Sequence, residues 1–204
     1  MKKYIALTLV FTLLLAGCNT VPLSEQQLNK IKSVAIVNNF PQYPSYSLVG
    51  TTVFQNEYGS IKDKDYQAEL SNVFAGYFGK KNYKSVTIHD NAKEVSPETD
   101  LIVTLEPAGL GLAGTPNQAG YGLYQKSFFG FSDAPFTYIE MNVFAKLASG
   151  EKFNTHSHDS TFISFKKLTK EWNDLSNFKK NEIANKIRKN IKKSANSSMR
   201  DLGL

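Results

Sequence analysis

The apolar positions of this chain change period several times along its length. From residue 4 to residue 16 every side chain is apolar, aromatic or threonine, a run too short for a bilayer core, which takes about 20 helical residues. Segment 33–40, SVAIVNNF, is a β-branched run that predicts a buried strand. After the turn-forming PQYPS, segment 48–55 predicts a second strand, with the polar stretch around Gly59 closing the pair. The period then becomes helical: Tyr66, Leu70, Val73, Phe74, Tyr77 and Phe78 share one face, with Asp63 and Asp65 before it and Lys80 and Lys81 after it, as the helix macrodipole favours. Segments 83–90 and 99–106 predict two more strands, separated by the loop around Pro97. Ile139, Met141, Val143, Ala145 and Leu147 alternate with mostly polar residues, which predicts a strand, and after the Ser149-Gly150 turn segment 152–165 returns antiparallel to it. Ile183, Ile187, Ile191, Ala195 and Met199 then predict a C-terminal amphipathic helix. Together these elements predict one α+β domain over 33–204, mainly antiparallel sheet with one internal helix and the C-terminal helix.

Composition supports a single self-sufficient core. The chain is 41% hydrophobic and 21% charged, ordinary usage for a globular domain of this length. Charge is unevenly placed. Segment 176–204 holds eight Lys and Arg against Glu182 and Asp201, a net of +6. Residues 18–175 hold 14 bases and 16 acids, a net of −2. The basicity therefore belongs to one segment, which argues against a nucleic-acid-binding surface spread over the fold. On the terminal helix, Lys186, Lys189 and Lys193 can either solvate the outer face or meet acidic phosphates on lipid or lipopolysaccharide.

The N-terminus carries the most specific signal. Lys2 and Lys3 precede the apolar run, and Leu15, Ala16, Gly17 and Cys18 follow its core, the order of a secretory signal with small residues before its cleavage site. The LAGC tetrad resembles the lipobox of bacterial lipoproteins processed by signal peptidase II. That resemblance implies a signal peptide over 1–17, cleavage after Gly17 and a diacylglyceryl thioether on Cys18, with palmitate-class chains holding the protein on a membrane. Two or three acyl chains anchor stably where one does not. Cys18 is the single cysteine, so the mature chain forms no internal disulfide. Segment 18–32 is predicted as a polar tether, with a capping box from Ser24 to Gln27 marking a short helix. Asn19 rather than aspartate after the cysteine implies, by the same family resemblance, sorting to the outer membrane of a Gram-negative bacterium, on its periplasmic face.

Candidate chemistry is sparse. GLGLAG, residues 109–114, matches the glycine fingerprint of dinucleotide sites, but TPNQAGYG follows it where a helix must begin, so no nucleotide and no other cofactor is expected. His156 and His158 in HSHD share one face of a strand and are weak metal candidates, lacking visible co-ligands; His89 is remote in sequence. Ser127, His156 and Asp133 could be drawn as a hydrolytic triad, yet no GxSxG elbow supports it. The glycine-rich segment 109–130 is expected to be a mobile loop or a twisted hairpin. Tyr121, Tyr124, Phe128, Phe129, Phe131 and Phe136 either fold onto the core or form a partner-binding patch.

The order of elements resembles the small domains of envelope lipoproteins that assist assembly or transport machines, such as the penicillin-binding-protein activators and the curli secretion lipoprotein. The resemblance implies a non-enzymatic accessory role with an envelope protein partner, and transfers no site residue. A lipid-anchored hydrolase and a glycan- or lipid-binding module are the alternatives.

Overall fold

The computed structural model describes residues 22–81, 83–111 and 120–204. Its helices are α1 (Glu25–Leu28), α2 (Tyr66–Gly79) and α3 (Asn177–Asp201). Its strands are β1 (Ser33–Asn38), β2 (Ser45–Val49), β3 (Glu57–Ser60), β4 (Ser85–His89), β5 (Leu101–Pro107), β6 (Tyr121–Phe128), β7 (Phe131–Ser132), β8 (Phe136–Leu147) and β9 (Lys152–Phe162). Three turns of 3-10 helix lie at Val53–Gln55, Ala92–Glu94 and Trp172–Asp174.

The sheet is organised around β8. Its order is β3-β2-β6-β8-β5-β1-β4, with β9 on β8 and β7 on β6. One edge of β8 pairs with β9 from Phe136 to Lys146. The other edge pairs first with β6, over Phe136 to Ile139, and then with β5, over Met141 to Leu147. The hand-over falls at Glu140, whose N–H donates to Gly120 and whose carbonyl accepts from Ala108, while the N–H of Gly120 donates to Ala108.

The fold is α+β, but the sheet is mixed, not mainly antiparallel: β1 is parallel to both β4 and β5, and β2 is parallel to β6. The reason lies in the connections. PQYPS does not fold β2 back onto β1; it carries the chain to the far arm of the sheet, where β2 meets β6. Helix α2 then returns the chain so that β4 enters beside β1 in the same direction. Five of the six residues of β1 are buried, as a parallel strand flanked on both sides requires. The strand expected at 48–55 is shorter and earlier, because Gly50 ends it and Thr52 and Gln55 cap the 3-10 turn that follows.

Helices α2 and α3 cover one face of the sheet. Asp65 caps α2 through the N–H of Ala68, and Tyr66, Leu70, Phe74 and Phe78 bury the predicted face. Ser176 caps α3, whose Ile183, Ile187, Ile191, Ala195 and Met199 all lie in the core. The other sheet face carries a small second cluster of Val49, Leu110, Tyr124 and Tyr138, with Phe136 against it. Gly122 is required there: a Cβ at that position would collide with Ser45 and with the Tyr138 hydroxyl, which are themselves hydrogen-bonded at 2.6 Å. Burial pushes the Tyr138 hydroxyl up to about 12.

The segment predicted as tether enters the body earlier than expected. The capping box of Ser24 and Gln27 forms as predicted, but Leu23 and Ile31 are buried in the main core. The Leu23 N–H donates to the Leu202 carbonyl at 2.9 Å, and Gln27 donates to Glu151. The two apolar side chains are spaced by eight residues within polar sequence, too sparse a pattern to register as amphipathic. Residues 23–31, predicted as part of the tether, therefore belong to the folded body.

Two polar features stabilise this arrangement and can be tested separately. Helix α3 presents a second stripe toward β8 and β9, Asn190, Ser194 and Ser198, all buried. Asn190 donates to the carbonyl and hydroxyl of Thr137 and accepts from Thr161 at 2.6 Å, and Ser194 bonds Ser157. Asn190→Ala strands these partners in a dry interface and should lower unfolding free energy by about 1–3 kcal/mol in urea titrations. Asp100 accepts from the backbone N–H groups of Lys32 and Ser33 and from the Ser33 hydroxyl, which hold its carboxyl below the usual carboxylate range. Its contribution to stability is thus complete above the ordinary value, about 4, and is lost as pH falls through the lower folded value. Asp100→Asn should flatten the acid limb of the stability profile, read as melting temperature against pH.

Candidate interaction surface

At the end of the sheet beyond Phe136, two loops meet. β6 and β7 are joined by the turn Phe128-Phe129-Gly130-Phe131, in which Phe129 has φ 45° and Gly130 φ 83°. Hairpin turns with two positive φ values favour Asn-Gly, and a bulky residue there is strained by roughly 1–2 kcal/mol. The second loop, 50–56, is held by Asn56, whose side chain accepts from the Gly50 N–H. The loops are tied together where the Phe129 N–H donates to the Thr51 hydroxyl at 2.7 Å. Between them opens a cleft of about 460 Å³ lined by Leu48, Val49, Phe54, Glu57, Lys167 and Lys170.

The side chains at the tips are uncovered. Phe54 is 96% exposed, Phe131 83%, and Phe129 and Val53 74% each. Phe128 packs edge-on against Phe129 at 4.5 Å and against little else. The six aromatics considered from the sequence thus divide. Tyr121 and Tyr124 are buried and Phe136 packs on the second cluster, whereas Phe128, Phe129 and Phe131 form a patch. Tyr121 reaches the Pro41 carbonyl with its hydroxyl, and burial raises it far above an ordinary phenol. Sequence reasoning missed Val53 and Phe54, because it assigned them to a strand. The signal that could have found the loop is Thr52-x-x-Gln55, a capping box inside an apparently extended run.

The histidine pair has a partner that the sequence did not reveal. His158 Nδ1 lies 2.6 Å from one oxygen of Glu140, and His156 Nε2 lies 3.2 Å from the other. His156 Nδ1 contacts Asn142 Oδ1 at 3.0 Å. Glu140 is buried and the imidazoles are half exposed, so the carboxylate anchors two rings on the sheet face opposite the helices. Each ring addresses a different oxygen, and no group of three or more metal-ligating side chains able to hold an ion occurs among the described residues. His89 sits on β4 beside Thr87, at the outer edge of the β5-β1-β4 arm.

The remaining candidates are scattered. Ser127 bonds Ser132 in the β6–β7 hairpin, while His156 is held by Glu140 and Asn142, so the triad of Ser127, His156 and Asp133 is not assembled. Of GLGLAG, Gly109, Leu110 and Gly111 are described and residues 112–114 lie outside the described residues, as does Cys18. Leu110 packs on the second cluster. On α3, Lys186 pairs with Glu182 at 3.1 Å and Lys193 with Asp159 at 3.1 Å, which leaves Lys189 alone of the three without an ion pair among the described residues. Burial would raise Glu182, but hydrogen bonds from Ser164 and the Lys186 ammonium more than offset it, and its carboxyl lies below the usual range.

No protein-family model matches the chain, and no curated protein matches it. Its fold is similar to that of protein XCC0632 from Xanthomonas campestris, a DUF330 protein, with a TM-score of 0.50 at 8% identity over 89% of this chain and 91% of that one. At this identity the likeness is one of fold. No helix among the described residues is long and apolar enough to cross a membrane.

The divided ligation of Glu140 leads to a specific expectation for the histidines. The domain from Asn19 onward should carry no stoichiometric zinc or copper by elemental analysis. A molar equivalent lost in His156→Ala would reverse that assignment.

Proposed function

We propose that the protein is a lipid-anchored lipoprotein of the cell envelope, held through Cys18 on the periplasmic face of the outer membrane, and that it acts there as a non-enzymatic binding or accessory protein. The lipobox and Asn19 support the anchor and its location. The observation that carries the binding role is the division of the body into two ends. Segment 22–32 is fastened where Asp100 and Glu151 lie, beside the Leu147 end of β8. The uncovered aromatic loops and their cleft lie past the Phe136 end, and β8 alone spans about 37 Å at about 3.4 Å per residue. From Cys18 to Leu23 there are five residue steps, which reach at most about 18 Å when extended. A protein so tethered keeps one end close to its anchor and offers the other to a partner.

Two measurements test this reading. Cys18→Ala should abolish incorporation of a palmitate analogue and leave an uncleaved precursor; continued labelling would reject the anchor. Crosslinking in intact cells through a photoreactive residue at position 54 should yield one stoichiometric envelope component, and a smear of unrelated products would reject the binding role.

A further inference from the structure

The aromatic end has the chemistry of a surface built to enter a lipid bilayer. Residues 51–56 and 127–132 contain no charged side chain, so neither loop needs to desolvate an ion when it leaves water. The cross-strand pairs of the hairpin are made: Ser127 pairs with Ser132, Phe128 with Phe131, and the Phe129 N–H is bonded to Thr51. Its outer strand β7 pairs with β6 alone and is two residues long, a short edge for a partner strand. What remains is a group of exposed apolar side chains, four phenylalanines and Val53. Such a group suits a phase that accepts side chains without hydrogen bonds.

The charges set behind the tips fit the same phase. Lys126 stands two residues before Phe128, and Lys167 and Lys170 line the cleft with Phe54. None of the three makes an ion pair among the described residues. Glu57 lines the same cleft and Asp133 follows β7, so the local surplus is one positive charge. Lysines in that position can extend their stems along apolar surface and place ammonium groups among phosphates.

We propose that loops 51–56 and 127–132 act as one wedge that inserts Phe54, Phe128, Phe129 and Phe131 into the interfacial layer of a bilayer containing anionic phospholipid. Lys126, Lys167 and Lys170 then meet the headgroups. The strained position of Phe129 belongs to this arrangement, since Asn or Gly would be more stable in the turn and would lose the apolar tip. Insertion is shallow, of the order of 5–10 Å, the depth of an interfacial element. The proposal rests on the aromatic end being the binding end; because that end points away from the segment leading to Cys18, the bilayer it enters is a second one, facing the membrane that would hold an anchor on Cys18, and its insertion is independent of acylation.

The test uses the chain from Asn19 onward, which retains all of the folded body, in flotation with vesicles of phosphatidylcholine alone or mixed with phosphatidylglycerol. The wild type should float with the mixed vesicles and more weakly with the neutral ones. Phe54→Ser with Phe131→Ser should lower partitioning at least ten-fold, with an unchanged circular dichroism spectrum. Phe129→Gly should raise the melting temperature while weakening binding, a combination that misfolding cannot produce. Lys167→Gln and Lys170→Gln should each cost about five-fold at low salt. Failure of the wild type to float, or flotation of the phenylalanine variants as wild type, would overturn the proposal. Equal binding to both vesicle types would overturn its anionic component. If flotation fails while position 54 crosslinks to one envelope protein, the bilayer inference falls and the accessory-protein reading stands; if palmitate labelling persists in Cys18→Ala while the wild type floats, the lipid anchor falls and the bilayer inference stands.

Discussion

Strand β8 pairs along both of its edges, and that double pairing holds the two arms of the sheet in one body. With β9 on one side, the other side is shared between β6 and β5, and the backbone of Glu140 closes the junction with Ala108 and Gly120. The arms β6-β2-β3 and β5-β1-β4 meet each other mainly through this strand. Cross-strand pairs and the burial of Ile139, Met141, Val143, Ala145 and Leu147 beneath α3 stabilise it. The carboxylate at the same junction, facing away from the helices, holds both histidines.

Elements whose pattern is long and regular were legible in the sequence. The helical spacing from Tyr66 to Phe78, the alternation from Ile139 to Leu147 and the isoleucine series of α3 all predict what the structure contains. Strand direction was not legible, because a short polar connection after β1 looks the same whether the chain turns back or crosses to the other arm. Nor was the second stripe of α3. Asn190 and Ser194 read as solvent-facing residues, and only the opposing Thr137, Ser157 and Thr161 make them interior ones.

The candidate surface was half legible for a related reason. Aromatic residues in 121–136 could be seen to need either burial or a partner, but their division depends on which pack beside Tyr138 and Pro41 and which lie past the last cross-strand pair. Glu140 was hidden as one polar residue in an alternating strand; its role depends on the register that puts it opposite His158. The lysines of α3 illustrate the converse. Lys186 and Lys193 look like free surface charge in the sequence, and Glu182 one turn earlier on the same helix and Asp159 on β9 occupy them.

The docking of segment 22–32 also has a mechanical side. A pull applied at Pro22 acts first on the backbone bond of Leu23 to Leu202 and the buried Leu23 side chain, then on the side-chain contact of Gln27 with Glu151, and only later on buried Ile31 and the bonds of Lys32 and Ser33 to Asp100. These links are loaded one after another, like the teeth of a zip, whereas neighbouring strands such as β1 and β5 resist together. Under tension the segment would peel away and free about ten residues, roughly 35 Å of extended chain, while the sheet keeps its shape. The short helix at the entrance to the fold can thus serve as a strain relief between whatever grips the N-terminus and whatever holds the far end.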